Sequence, residues 1–124
     1  QMTCQEMITA STETIPVKIV VFNNGNHGMV RQWQKIFYNS KFSASELGHV
    51  VPDYVKLAES MGAVGLRMTK KTEVKNVFSE MLKINDRPVL IDCVVDPEDM
   101  VFPMVPAGGS NDQIILNKED LKNL

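Results

Sequence analysis

Three short strand-like runs, separated by stretches of helical periodicity, constrain this chain more than any other feature. They lie at residues 17–22 (VKIVVF), 64–68 and 89–95. Parallel strands need crossovers of a dozen or more residues, usually helical. Strands alternating with helices therefore mean an α/β fold, a mainly parallel sheet flanked by helices. The intervening segments fit. Met29, Val30, Trp33, Ile36 and Phe37 recur at three- and four-residue steps and predict a helix over 29–38. Pro52 and Asp53 open another, with Val55, Ala58 and Met61 on one face and Gly62 as its stop. From about 69–72, Val74, Val77, Phe78, Met81 and Leu82 give the cleanest amphipathic pattern, ended by the turn at 85–88. Ahead of the first strand, residues 1–13 carry Met2, Met7 and Ile8 on one helical face. That helix starts without a cap, as a segment continued from upstream would. VKIVVF reads as a strand covered on both faces. Three strands make a small sheet, expected to be completed by strands outside this chain or by a partner.

The rest is irregular. Residues 39–51 read as a loop. Pro97, Pro103, Pro106, Gly108 and Gly109 then make an extended tail of the kind that crosses a surface or covers a site, followed by a weakly amphipathic stretch at 112–124. At 124 residues the chain has the size of one domain and can bury a modest core unaided. Thirteen basic residues against fifteen acidic leave a net charge of −2, with no general field for phosphate backbones, so nucleic acid is not an expected partner. No apolar run approaches the ~18–20 residues that span a bilayer, and no signal peptide is visible at the N-terminus. Cys4 and Cys93 lie far apart and outside any C-x-x-C spacing. They read as reduced thiols of a cytoplasmic protein, without a disulfide or a zinc site.

One segment carries chemistry. In open α/β sheets, ligands sit outside the carboxyl ends of the strands, on strand-to-helix loops. Asn23, Asn24, Gly25, Asn26, His27 and Gly28 occupy that position. Carboxamide oxygens are hard, neutral donors suited to Mg²⁺, which takes a few protein oxygens together with substrate phosphates. Glycines admit close backbone approach, and a helix N-terminus favours anions. The loop has the parts of a Mg²⁺–diphosphate clamp; the same residues also make an ordinary turn.

The run NNGNHGMVRQWQKIFY, with VKIVVF before it and PDYVKLAESMGA after it, resembles the catalytic subunit of acetohydroxyacid synthase, also called acetolactate synthase. RPVLIDCVVD and VFPMVPAGGS continue the resemblance in order, so that it covers residues 1–110 and fades over 111–124, a C-terminal extension. Within the thiamine-diphosphate enzymes GMVRQWQ is specific to this family, whereas the paired Asn is shared by most of them. The resemblance implies the C-terminal part of a thiamine-diphosphate-binding domain. Its family reaction decarboxylates pyruvate and condenses the two-carbon unit with a second 2-oxo acid, giving 2-acetolactate or 2-aceto-2-hydroxybutyrate in branched-chain amino acid biosynthesis.

Carried over by that resemblance, Asn24 supplies a side-chain oxygen and Asn26 a backbone carbonyl to Mg²⁺. Met2, Gly28 and Met29 join Asn24 and Asn26 around thiamine diphosphate. Met29 and Trp33 line the substrate channel, Trp33 narrowing it in favour of 2-oxobutyrate; without the resemblance, Trp33 is one core residue of an amphipathic helix. The family's Gly-Asp-Gly metal motif is expected just upstream of Gln1, as are its cofactor-activating glutamate and its FAD-binding domain. No catalytic residue therefore falls in this chain, which by itself is expected to be inactive. FAD, a second catalytic subunit and a small regulatory subunit are expected of the full enzyme only. The tail at 101–109 corresponds to a segment that closes over the cofactor. His27 has no family role, Arg31 either orients the loop or sits on a helix surface, and Asp92 reads as a structural carboxylate. The competing reading is a non-catalytic α/β module that binds a phosphate ligand through the Asn-rich loop.

Overall fold

The structure, a computed structural model, describes residues 2–48 and 51–123. Gln1 at the head of the first predicted helix, His49 and Val50 in the predicted loop, and Leu124 at the end of the extension lie outside the described residues. The chain divides into two units, Gln1–Asn24 with His49–Asp96, and Gly25–Gly48 with Pro97–Leu124. The order of elements is the predicted one: α1 (Glu6–Thr12), β1 (Lys18–Asn23), α2 (Gly28–Phe37), α3 (Tyr54–Ser60), β2 (Val64–Met68), α4 (Val74–Lys83) and β3 (Val89–Val94).

The first unit holds the sheet. Its strands run parallel in the order β1-β3-β2, with Lys18 and Val64 both opposite Val89. The alternation of side chains along β3 feeds two cores. Val89 and Ile91 pack with Met68 and with Met81 of α4. Leu90 packs on the other face with Met7 of α1, Ala58 of α3 and Ala63. Burying a side chain such as Ile91 contributes roughly 1.5–3 kcal/mol, so this central strand anchors the unit.

The burial of β1 and β3 departs from the sequence expectation. β1, read as covered on both faces, is a half-buried edge strand with Phe22 74% exposed. β3, interrupted by Asp92 and Cys93, is the buried one. An apolar run reports that a strand has apolar neighbours but not how many sides they occupy. Helix faces shift for a related reason. On α1 the inward residues are Met7 and Ala10, while Ile8 is exposed and Met2 is 95% exposed ahead of the helix. On α4, Val77, Phe78 and Met81 pack against the sheet, whereas Val74 and Leu82 are exposed. Short helices meet a sheet along a strip narrower than the predicted stripe.

Local chemistry sets the helix ends. The Asp53 carboxylate accepts hydrogen bonds from the Val55 and Lys56 amides at 3.1 and 3.4 Å and opens α3. Gly62, at φ +76°, stops it as predicted. The helix predicted from 69–72 begins as a 3₁₀ turn, Lys71–Glu73, before α4. The Glu73 carboxylate accepts from the amides of Thr69 and Lys70 at 2.8 and 3.0 Å, which holds it below its ordinary pKa.

In the second unit, α2 buries a polar residue in place of its apolar stripe. Met29 and Val30 are exposed, Trp33, Ile36 and Phe37 are half-buried, and Gln32 is 5% exposed. The Gln32 carboxamide donates to the Val101 carbonyl at 3.0 Å and accepts from the Val101 amide at 2.7 Å, as a backbone neighbour would. Further along the tail, Met104 and Ile115, both buried, form an isolated antiparallel bridge. The stretch at 112–124 forms no α-helix among its described residues, only the 3₁₀ turns Asn111–Gln113 and Asp120–Asn123. Its polar side chains bond locally instead: Asn117 accepts from the Glu119 amide at 2.8 Å, and Asp120 from the Leu116 amide at 2.8 Å.

Candidate functional site

At the carboxyl ends of the three strands the sheet face that holds Leu90 turns polar. Strand alternation places Asn23 of β1, Asp92 of β3 and Arg67 of β2 on that face, Arg67 directly opposite Asp92. Asn23 Nδ2 donates to Asp92 Oδ1 at 2.9 Å, and Arg67 Nε donates to Asp92 Oδ2 at 2.9 Å. Arg67 also reaches Asp53 Oδ1, the α3 cap, at 2.7 Å. Asp92 is 2% exposed, so its charge is compensated inside the protein. The bond to Asp92 raises the Arg67 pKa further. At Asp53 burial alone would raise the pKa; the Lys56 amide and Arg67 outweigh it and the net shift is downward. Burial, then Asp92, pushes the Cys93 thiol up, so it is not an activated nucleophile. Asn24, half-buried, follows this row directly and closes the first segment of the unit.

The second unit begins at Gly25, whose φ of +68° is the left-handed conformation that favours glycine. Asn26 forms an isolated antiparallel bridge with Glu46, closed by the His27 amide on the Ser45 carbonyl at 2.8 Å and the Leu47 amide on the Gly25 carbonyl at 3.0 Å. His27 caps α2 through its position only, with no side-chain bond to the helix amides. Gly28 and Met29 form the first turn of α2. Trp33 lies one turn on, its ring 4.9 Å from that of Phe37. Arg31 faces inward: its guanidinium pairs with Glu46 at 2.9 Å and with Glu98, and its carbon lies 4.0 Å from the centre of the Phe42 ring. Lys35 and Arg31 together hold Glu98 down at about 2.

The predicted residues thus fall into two groups. Met2 and Asn24 belong to the first unit, Met2 standing in solvent. Asn26, Gly28, Met29 and Trp33 belong to the second. Among the described residues no three His, Cys, Asp or Glu side chains cluster as a metal cage. What the loop offers is neutral oxygen, a donor set that fits Mg²⁺ only when phosphates and a carboxylate from elsewhere complete the shell. Sequence reasoning did not single out Gly25 as the left-handed residue of the loop, although the Asn-Gly dipeptide was the available signal. It also missed the Asn23–Asp92–Arg67–Asp53 row, for which a charged residue inside an apolar strand was the only clue. A concavity of about 550 Å³ in the first unit is lined by Ser11, Ser60, Gly62 and Arg87, near the amino ends of β2 and β3. In a parallel sheet that is the wrong end for a ligand site. Among the described residues, no helix is long and apolar enough to cross a membrane.

Comparison with known proteins adds family evidence. The family described as thiamine pyrophosphate enzyme, C-terminal TPP binding domain, matches residues 1–93. An acetolactate synthase of Mycobacterium avium is 50% identical over 117 residues, 92% of this chain and 19% of that protein. The acetolactate synthase large subunit of Haemophilus influenzae is 38% identical over 118 residues, 95% of this chain and 20% of its own. The chain therefore spans about a fifth of the length of these curated relatives. Among solved structures, the thiamine diphosphate-dependent 4-hydroxybenzoylformate decarboxylase of Rhodococcus jostii RHA1 superposes with a TM-score of 0.63 at 28% identity, over 73% of this chain and 16% of that one.

Proposed function

Since the chain belongs to the thiamine pyrophosphate enzyme family through its C-terminal TPP-binding domain, we propose that it is the diphosphate-binding part of an acetolactate synthase catalytic subunit. The observation that carries this reading is the 50% identity to an acetolactate synthase over 92% of the chain. The strand-end position of residues 23–28 supports it, because that is where an α/β sheet presents a ligand.

Under this reading the Asn24 side chain and the Asn26 carbonyl hold Mg²⁺, and residues outside this chain add the missing carboxylate. Gly28 and Met29, at the start of α2, lie against the diphosphate end, where the helix amides favour negative charge. Met2 completes the cofactor contacts once the residues that cover it are present. Trp33 and Met29 shape the channel and exclude water from it. Thiamine diphosphate, when bound, supplies the nucleophilic carbon and the electron sink for loss of CO₂ from pyruvate. The chain's own residues bind and orient; none exchanges a proton with substrate, and the isolated chain is inactive. FAD, a second catalytic subunit and a regulatory subunit belong to the complete enzyme, a cytoplasmic enzyme of branched-chain amino acid synthesis.

The test is product formation. The complete native polypeptide, given pyruvate, thiamine diphosphate, Mg²⁺ and FAD, is expected to yield acetolactate, and the 124-residue chain alone none. Binding of the diphosphate without turnover of any 2-oxo acid by the complete polypeptide would favour the phosphate-binding module instead.

A further inference from the structure

We propose that Asp92 is a positioning residue for the loop after β1: by fixing Asn23 it sets the direction in which Asn24 leaves the sheet. The proposal rests on the reading of Asn24 as a metal ligand and adds a residue to which that reading assigns no role. Among the described residues β1 pairs with β3, and Asn23 is its last residue. Two of its bonds link it to β3 and the residue that follows. The Val95 amide donates to the Asn23 carbonyl at 3.0 Å, and the Asn23 carboxamide donates to Asp92 at 2.9 Å. Asp92 in turn is fixed by Arg67 at 2.9 Å, and Arg67 by the α3 cap at 2.7 Å. The last residue of β1, the middle of β3, the end of β2 and the start of α3 are thereby tied by one chain of charge-assisted hydrogen bonds.

Stability alone does not call for this arrangement. One step toward the amino ends, the same face is filled by Val21 and Leu90, and further apolar side chains would pack as well without burying a charge. A buried carboxylate with one partner on each oxygen instead fixes a single geometry, because rotating either partner leaves a charge unpaired. Residues that orient metal ligands from behind typically change metal affinity 10–100-fold when replaced.

The experiment measures the Mg²⁺ concentration for half-maximal binding of thiamine diphosphate by titration calorimetry, with melting temperature recorded in the absence of both. It uses the complete native polypeptide and its Asp92→Asn, Asn23→Ala, Val77→Ala and Asn24→Ala variants. Asn at position 92 cannot accept from both Asn23 and Arg67, since its own amide group faces one of the donors. Asp92→Asn is expected to raise the Mg²⁺ requirement about tenfold, and Asn23→Ala to raise it in the same direction. Val77→Ala, which trims the core on the opposite face of the sheet, is expected to lower the melting temperature and leave the Mg²⁺ requirement within about twofold. Should Asp92→Asn fail to fold, Asn23→Ala decides, because it removes the same bond from the more exposed partner. An unchanged Mg²⁺ requirement in Asp92→Asn and Asn23→Ala, with a raised one in Asn24→Ala, overturns the positioning role alone. An unchanged requirement in Asn24→Ala overturns the reading of the loop, and the positioning role falls with it.

Discussion

Replacing Gly65 by Ala puts the packing of α3 on β2 to a direct test. A Cβ at Gly65 would stand 2.5 Å from the Val55 carbonyl oxygen, 2.7 Å from its Cα and 2.9 Å from its Cγ1. The first two are backbone atoms of a helix, so relief requires α3 to move off the sheet by roughly an ångström; a side-chain rotation is not enough. Overpacking of this kind costs roughly 1–3 kcal/mol. The opposing term, the smaller entropy of an unfolded chain with Ala in place of Gly, returns about 0.4–1 kcal/mol. The net expectation is a destabilisation of about 1–2 kcal/mol. Urea denaturation of the complete polypeptide measures it as a lowered midpoint at unchanged slope. A neutral or stabilised Gly65→Ala protein would refute the close approach of helix to strand, and with it the placement of Asp53 beside Arg67.

Two further outcomes follow. Glu98 falls from its ordinary 4.5 to about 2 on folding, chiefly through Lys35 and then Arg31. A depressed carboxylate stabilises the fold above its unfolded pKa and loses that contribution as pH drops through the folded one. Amide exchange in the tail around Glu98 is therefore expected to quicken between pH 4.5 and 2 after correction for intrinsic rates, and no such change is expected in Glu98→Gln. Trp33→Ala, assayed in the complete enzyme with pyruvate and 2-oxobutyrate competing, is expected to reduce the preference for 2-oxobutyrate about tenfold or more, since recognition of a methylene by shape is worth ~1–3 kcal/mol. An unchanged product ratio would remove Trp33 from the channel.

The fold was legible where physics is local. The apolar runs, the Asp53 cap and the Gly62 stop each act within a few residues, and they gave the element order seen here. What escaped depends on distant neighbours. Nothing within VKIVVF distinguishes an edge from a centre, because the difference is whether a second strand lies beside it. Gln32 looks like a surface residue of an amphipathic helix until the Val101 backbone, 69 residues on, is brought to it. At the site, the loop was legible from its Asn and Gly content after a strand. The row behind it was not, since Asn23, Arg67 and Asp92 meet only once β3 lies between β1 and β2. The metal-binding roles proposed for Asn24 and Asn26 rest on resemblance, not on periodicity or charge.

Those roles are the centre of the account, and one binding curve tests them. Thiamine diphosphate is titrated calorimetrically into the complete polypeptide and into Asn24→Ala, each with Mg²⁺ and with EDTA. The account predicts tight, Mg²⁺-dependent binding to the native protein and at least a tenfold loss in Asn24→Ala, with equal weak binding by both in EDTA. Equal affinity of the two proteins in Mg²⁺ would contradict it.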